Sequence, residues 1–108
     1  MKFNRIFLIV CDSMGIGNAK DAKKYNDFGA NTVGHICSIC DGLNIPTLQN
    51  LGFGNLGDFK GVAKTQNPQA YILKLNEASN GKDTMTGHWE MMGLLMEQPF
   101  LTFTAHGF

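Results

Sequence analysis

Residues Arg5-Ile6-Phe7-Leu8-Ile9-Val10-Cys11 form a run that is apolar from Ile6 onward, with Ile6, Ile9 and Val10 β-branched, and that stops abruptly at Asp12. A run without alternation suits a strand covered on both faces, as in a parallel sheet flanked by helices. It leads into Asp12-Ser13-Met14-Gly15-Ile16-Gly17. In open α/β sheets ligands lie beyond the carboxyl ends of the strands, so Asp12 stands where a functional carboxylate would be. The alternative is an Asx turn that merely carries the chain out of the strand.

Further along, residues 18–30 mix charges with Gly29, Tyr25 and Phe28 and read as an exposed loop with at most short helical turns. Asn31 to Asp41 places Val33, Ile36, Cys37 and Cys40 at helical spacing, with Asn31 or Thr32 as cap and Gly42 as terminator. Pro46 opens a second short helix stopped by Gly52, and Gly52, Gly54 and Gly57 punctuate a loop. Tyr71-Ile72-Leu73-Lys74-Leu75 predicts a second strand with Tyr71, Leu73 and Leu75 on one face. A last helix is predicted from Thr84, with Met85, Trp89, Met92 and Met96 on one stripe, although Gly87 and Gly93 weaken it. Strand, helix, strand, helix in this order gives an α/β fold. Only two or three strands are visible, so the sequence reads as the beginning of something larger.

Composition narrows the function classes. Of 108 residues, 17% are charged and 44% hydrophobic, an ordinary globular balance. Nine basic and nine acidic side chains cancel, which gives no electrostatic reason to expect nucleic acid or an anionic membrane as partner. The Ile6–Cys11 run is far short of the roughly 20 residues that span a bilayer, and no signal-peptide layout precedes it. The expected location is the cytoplasm. Three cysteines imply no disulfide scaffold. Cys37 and Cys40 form a CxxC with His35 nearby, but a structural zinc needs four ligands and no second pair exists. Buried small residues on a helix face are the simpler account.

Chemistry concentrates in Lys82-Asp83-Thr84-Met85-Thr86-Gly87-His88-Trp89-Glu90. Two phosphate-loop patterns fail nearby. Gly15-Ile16-Gly17 lacks the third glycine of a dinucleotide fingerprint, since Lys20 occupies that place, and Gly81-Lys82 is preceded by Asn76 and followed by Asp83 where a P-loop needs Gly and a hydroxyl residue. Thr84 sits at the expected start of a helix, where unpaired N–H groups favour an anion. A hydroxyl there can carry or attack a phosphoryl group, with Lys82 adding charge. Alternatively Asp83 or Thr84 is simply the N-cap. His88 and Glu90 do not make the HExxH pattern of a zinc protease.

FLIVCDSMGIG together with GKDTMTGHWEMMG resembles the phosphopentomutase family of the alkaline phosphatase-like metalloenzyme superfamily. Asn31-Thr32-Val33-Gly34-His35, LGFGN and Gln98-Pro99-Phe100 resemble it too, so the similarity covers essentially the whole chain. It implies the N-terminal portion of an alkaline phosphatase-like core, with a mostly parallel sheet flanked by helices, incomplete over residues 1–108. The cap domain and the C-terminal half of the core would be absent. It also implies interconversion of ribose 1-phosphate and ribose 5-phosphate, and of their deoxy equivalents, in nucleoside salvage. Two Mn2+ ions would be bound. Thr84 would be nucleophile, phosphoryl carrier and metal ligand, and Asp12 a metal ligand. The remaining ligands of the family pattern, aspartates and histidines, would lie outside this chain, leaving it inactive alone. The chain departs from the family pattern at Asn31, where an acid is usual, and at Lys20, where proline is common. The alternatives are a related metal-dependent phosphomutase or phosphatase, and a small non-enzymatic metal-binding domain built on His35, Cys37 and Cys40.

Overall fold

The computed structural model describes residues 2–101. They contain helices α1 (Thr32–Ile39), α2 (Pro46–Leu51) and α3 (Thr84–Met91), with 3-10 turns at Ala22–Tyr25 and Phe53–Leu56. The chain divides into two units, one from residues 2–18 and 29–73, the other from residues 19–28 and 74–101.

The first unit holds the hydrophobic core. Helix α1 starts because the Asn31 side chain accepts from Gly34 N, the capping role its composition invites. It stops at a Schellman-type turn: Asp41 has φ 57°, Gly42 has φ 114°, and Gly42 N donates to Cys37 O at 2.8 Å. Of the expected apolar stripe, Val33 and Cys37 are buried, whereas Ile36 and Cys40 are exposed. Helix α2 opens on Pro46 and closes at Gly52, in the left-handed region at φ 108°. The glycine-punctuated stretch that follows is a 3-10 turn carrying the buried Phe53. Phe53 and Phe59 stack tilted at 5.4 Å, and with Val33, Cys37 and Val62 they make the core. Met14, Ile16, Leu43, Leu48 and Ile72 pack around it.

Side chains hold the following loop on this core. The Asn55 amide donates to Thr65 O and accepts from Thr65 N, at 2.8 and 2.9 Å, and Gln49 Oε1 accepts from Ala63 N at 3.0 Å. Close backbone approach is what demands glycine at position 54. A Cβ there would overlap the Ala63 carbonyl, whose carbon would lie 2.8 Å away.

The expected parallel sheet flanked by helices is not present. Among the described residues there is no β-strand, and the only β-type pairing is an isolated antiparallel bridge between Phe59 and Val62. The Arg5–Cys11 and Tyr71–Leu75 runs lie outside regular structure, and apart from Ile72, which packs on the core, both are solvent-exposed: Ile6 is 86% and Leu75 84% accessible. The reason is that a strand satisfies its N–H and C=O groups only through a neighbour. A helix satisfies most of them within itself, so short capped helices form where unpaired strand-like runs do not.

In the second unit, the 3-10 turn Ala22–Tyr25 buries Ala22 and ends at Asn26, which has φ 54°. Helix α3 begins at Thr84 as expected, but its apolar stripe is not covered. Met85, Trp89 and Met92 are exposed, and the buried side chain of the helix is Thr86. Trp89 packs edge-on against Phe100 at 5.3 Å. Phe103 to Phe108, including His106, lie outside the described residues.

Replacing Gly54 by alanine forces the Ala63 carbonyl to move, an overpacking cost of about 1–3 kcal/mol. The expected result is a lower thermal unfolding midpoint for Gly54→Ala, read by circular dichroism. An unchanged midpoint would show that the 62–65 loop yields freely.

Candidate active site

The start of α3 is fixed by one acid. Asp83, in extended conformation at φ −94°, accepts from Thr86 N at 2.9 Å and from the Thr86 hydroxyl at 2.6 Å. Thr86 is fully buried, so this contact satisfies a hydroxyl that would otherwise be costly to enclose. The Thr86 hydroxyl, opposed by burial and helped by the Thr86, Asp83 and Met85 N–H groups, holds the Asp83 carboxyl below its ordinary range. Gly81 precedes this lock at φ 141°, and a Cβ there would lie 2.9 Å from Thr86 Oγ1.

Asp83 is therefore the cap, and Thr84 is the first helical residue. Its hydroxyl is exposed and has no hydrogen-bond partner among the described residues. Its carbonyl accepts from His88 Nδ1–H at 2.7 Å, one turn on, which accounts for His88 as a local support of the helix. Lys82 forms an ion pair with Asp27. Both positive features expected around Thr84, the helix start and Lys82, thus already have anions of their own.

The loop before α3 is tied to its far end. The Glu90 carboxylate accepts from Ala78 N at 3.0 Å and from Ser79 N at 2.6 Å. The Ser79 hydroxyl accepts from Met96 N at 3.0 Å, Asn80 N donates to Met96 O at 2.8 Å, and Asn80 Nδ2 donates to Glu97 O at 3.0 Å. The Ser79 hydroxyl, then the Ala78 and Ser79 N–H groups, hold the Glu90 carboxyl below its ordinary value. Glu77 is pushed the other way, chiefly by burial and then by the charges of Glu90, Asp21 and Asp83.

In the first unit, Asp12 is exposed and its Oδ1 accepts from Ser13 N at 2.9 Å. Ser13 has φ 58°, a conformation that is uncommon for a non-glycine residue. The Asp12–Ser13 turn is followed by a segment fastened to α1. Gly17 N donates to Asn31 Oδ1 at 3.1 Å, and Val33 N donates to Gly15 O at 3.1 Å. The local Asx-type contact and an exposed carboxylate therefore coexist at Asp12. Cys37 is buried in the core and Cys40 exposed at the end of α1. Among the described residues no group of three or more His, Cys, Asp or Glu side chains could hold a metal ion, so His35, Cys37 and Cys40 do not form a metal module.

The sequence model of the metalloenzyme superfamily matches residues 4–95. The chain belongs to the metalloenzyme superfamily. It is also 55% identical over 107 residues, 99% of its length, to a phosphopentomutase of Clostridium tetani (strain Massachusetts / E88). The resemblance carried by FLIVCDSMGIG and GKDTMTGHWEMMG is borne out by that identity. The chain spans 27% of the length of that relative. No helix among the described residues is long and apolar enough to cross a membrane.

Three participants escaped the sequence. Asp27 is distant from Lys82 in the chain and has no spacing signal. Asn31 was legible as a cap but not as a tie to Gly17. Glu90 carries one signal that could have found it: an acid in the last turn of a helix opposes the helix dipole and needs donors from elsewhere.

Asp83→Ala removes the cap, a cost of about 1 kcal/mol. It also orphans the buried Thr86 hydroxyl, a further cost of about 1–3 kcal/mol. The first turn of α3 should fray, seen as faster amide exchange at Thr86, and Asp83→Asn, an equally good cap, should recover most protection. For Glu90 the sign follows from its lowered pKa. Its contribution is present above the ordinary value of 4.5 and is lost as pH falls through the lowered value. Ala78 and Ser79 amide protection, corrected for intrinsic exchange, should hold at neutral pH and collapse only in that acid window. Glu77, with a raised pKa, acts in the opposite sense and gains stability as it protonates.

Proposed function

We propose that this chain is the nucleophile-bearing portion of a phosphopentomutase catalytic core, which interconverts (deoxy)ribose 1-phosphate and (deoxy)ribose 5-phosphate. The observation that carries the reading is the division of roles at the start of α3. Asp83 takes the cap, so the hydroxyl of Thr84 stays exposed and uncommitted. The identity to a phosphopentomutase over nearly the whole chain supports the same reading.

In this mechanism Thr84 Oγ carries a phosphoryl group. It transfers the group to the free hydroxyl of the pentose phosphate, giving a bisphosphate, and Thr84 Oγ takes a phosphoryl group back from the other end. One P–O bond forms and one breaks in each transfer, so the phosphorylated enzyme is regenerated. The negative charge involved is about −1.5 to −2 at neutral pH. Around Thr84 the local cation Lys82 is paired with Asp27 and the helix start is occupied by Asp83, so this charge needs a further counterion.

The donors fit a hard divalent cation. Asp12 offers an exposed carboxylate and Thr84 a hydroxyl or phosphoryl oxygen, with no soft ligand among them. We assign the cofactor as Mn2+, two ions in the complete enzyme, held by Asp12, Thr84 and ligands from beyond the described residues. Bound metal would polarise the phosphoryl oxygens and lower the cost of their charge. The assigned location is the cytoplasm, with no nucleic acid or membrane partner.

The test is phosphorylation of Thr84. In the complete protein that carries this segment, intact mass after incubation with Mn2+ and a sugar bisphosphate should show one added phosphoryl group, mapped by fragmentation to Thr84. Thr84→Ala should lose the group and also mutase turnover, the latter by roughly 10⁶-fold, the scale of removing a nucleophile. Substantial residual turnover would remove Thr84 from this role. Chelation of divalent metal should abolish turnover and leave the unphosphorylated mass.

A further inference from the structure

We infer that Glu90 is a positioning residue for the proposed phosphoryl transfer: its carboxylate pins the 78–80 loop and so sets where the adjoining Gly81-Lys82 segment lies beside Thr84. The inference rests on the phosphothreonine reading above. Glu90 lies six residues along α3 from Thr84, roughly 9 Å by helical rise, so it acts through the loop.

Three observations converge on the loop. Two successive backbone N–H groups, of Ala78 and Ser79, point at the single Glu90 carboxylate. Such a pair of N–H groups is an anion-binding concavity, here filled by a side chain of the same unit. Ser79 is buried at 7% exposure, and its hydroxyl is committed to Met96 N, so the loop is held from two sides. Beyond Asn80 the second lock begins, with Gly81 close against Thr86 and Asp83 bound to it. Between the two locks only Gly81 and Lys82 bridge. The backbone position of Lys82 relative to Thr84 is therefore set by the Glu90 lock on one side and the Asp83 lock on the other, while its side chain pairs with Asp27. The placement of Glu90 is otherwise unfavourable. It lies in the last turn of α3, where a negative charge opposes the helix dipole, and the loop N–H groups offset this. A purely solvating residue would not be expected there.

The experiment compares Glu90→Gln and Glu90→Ala in the complete protein that carries this segment. Gln keeps the shape and one acceptor oxygen, so it retains part of the clamp, whereas Ala removes it. The expected result is graded. Amide exchange at Ala78 and Ser79 speeds up in Ala more than in Gln, while Thr86 stays protected by Asp83. The value of kcat falls by roughly 10²-fold in Ala and less in Gln, with KM for the pentose phosphate within about twofold, as misplacement near the reacting group predicts. The phosphothreonine level at Thr84 follows kcat. Normal kcat in both variants, with loosened Ala78 and Ser79 amides, would overturn the positioning role while leaving the phosphothreonine reading intact. Equal loss in both variants with loss of Thr86 protection would mark Glu90 as a folding residue and also overturn it. A parent protein that never carries phosphate on Thr84 would overturn the underlying reading, and the positioning role with it.

Discussion

The carboxylate of Asp83 against the buried hydroxyl of Thr86 is the contact on which the candidate site depends. It satisfies the one enclosed polar side chain of α3 and makes Asp83 the cap, so that the helix begins at Thr84. It requires glycine at position 81, because a side chain there would meet Thr86. It also changes the electrostatics expected of a helix start. The N–H groups that could cradle a phosphate are already serving an anion. A hydroxyl beside a filled cap is free to react, but the charge it would carry must be balanced by something other than the helix dipole.

The first unit applies the same economy to Asp12. Its carboxylate keeps one oxygen on the neighbouring Ser13 N–H, and Ser13 itself takes a positive φ. Asn31 then does two jobs with one oxygen, capping α1 and accepting from Gly17. The helix that buries Val33 and Cys37 in the core is thereby the same helix that anchors the turn following Asp12. Packing and site geometry are linked through a single side-chain amide. An acid at position 31 could accept both bonds equally well, so this departure from the family pattern leaves the geometry intact.

What the sequence revealed follows the range of the forces involved. Caps and stops are local, and Asn31, Gly42, Pro46, Gly52 and Thr84 marked helix boundaries that the structure keeps. The core half of α1 was legible from spacing for Val33 and Cys37. The sheet was not. Arg5–Cys11 and Tyr71–Leu75 have strand composition, but composition records preference and a ladder requires a partner, which neither run has among the described residues. The stripe Met85, Trp89 and Met92 failed for a related reason: periodicity identifies an apolar face, not what covers it. Of the candidate site residues, Asp12 and Thr84 stood out by type and position; Asp27 and Ser79 act through tertiary contacts that leave no local trace, and Glu90 leaves only its place in the last turn of α3.

Charge explains why the second unit looks as it does. Asp27 neutralises Lys82, Asp83 fills the helix start, Glu90 fills the Ala78–Ser79 N–H pair, and Glu77 sits among Asp21, Asp83 and Glu90 with its carboxyl pushed up. Asp27, Asp83 and Glu90 have donors of their own, whereas the environment of Glu77 disfavours charge. A phosphoryl group placed on Thr84 would find Lys82 already paired with Asp27 and the helix start already serving Asp83. A divalent cation at the Thr84 oxygen would supply a counter-charge and hold the group until an acceptor arrives. On the function proposed above, a need for metal would follow from these two contacts: the unit would supply geometry, and the cation the charge that Lys82 and the helix start have already given to Asp27 and Asp83.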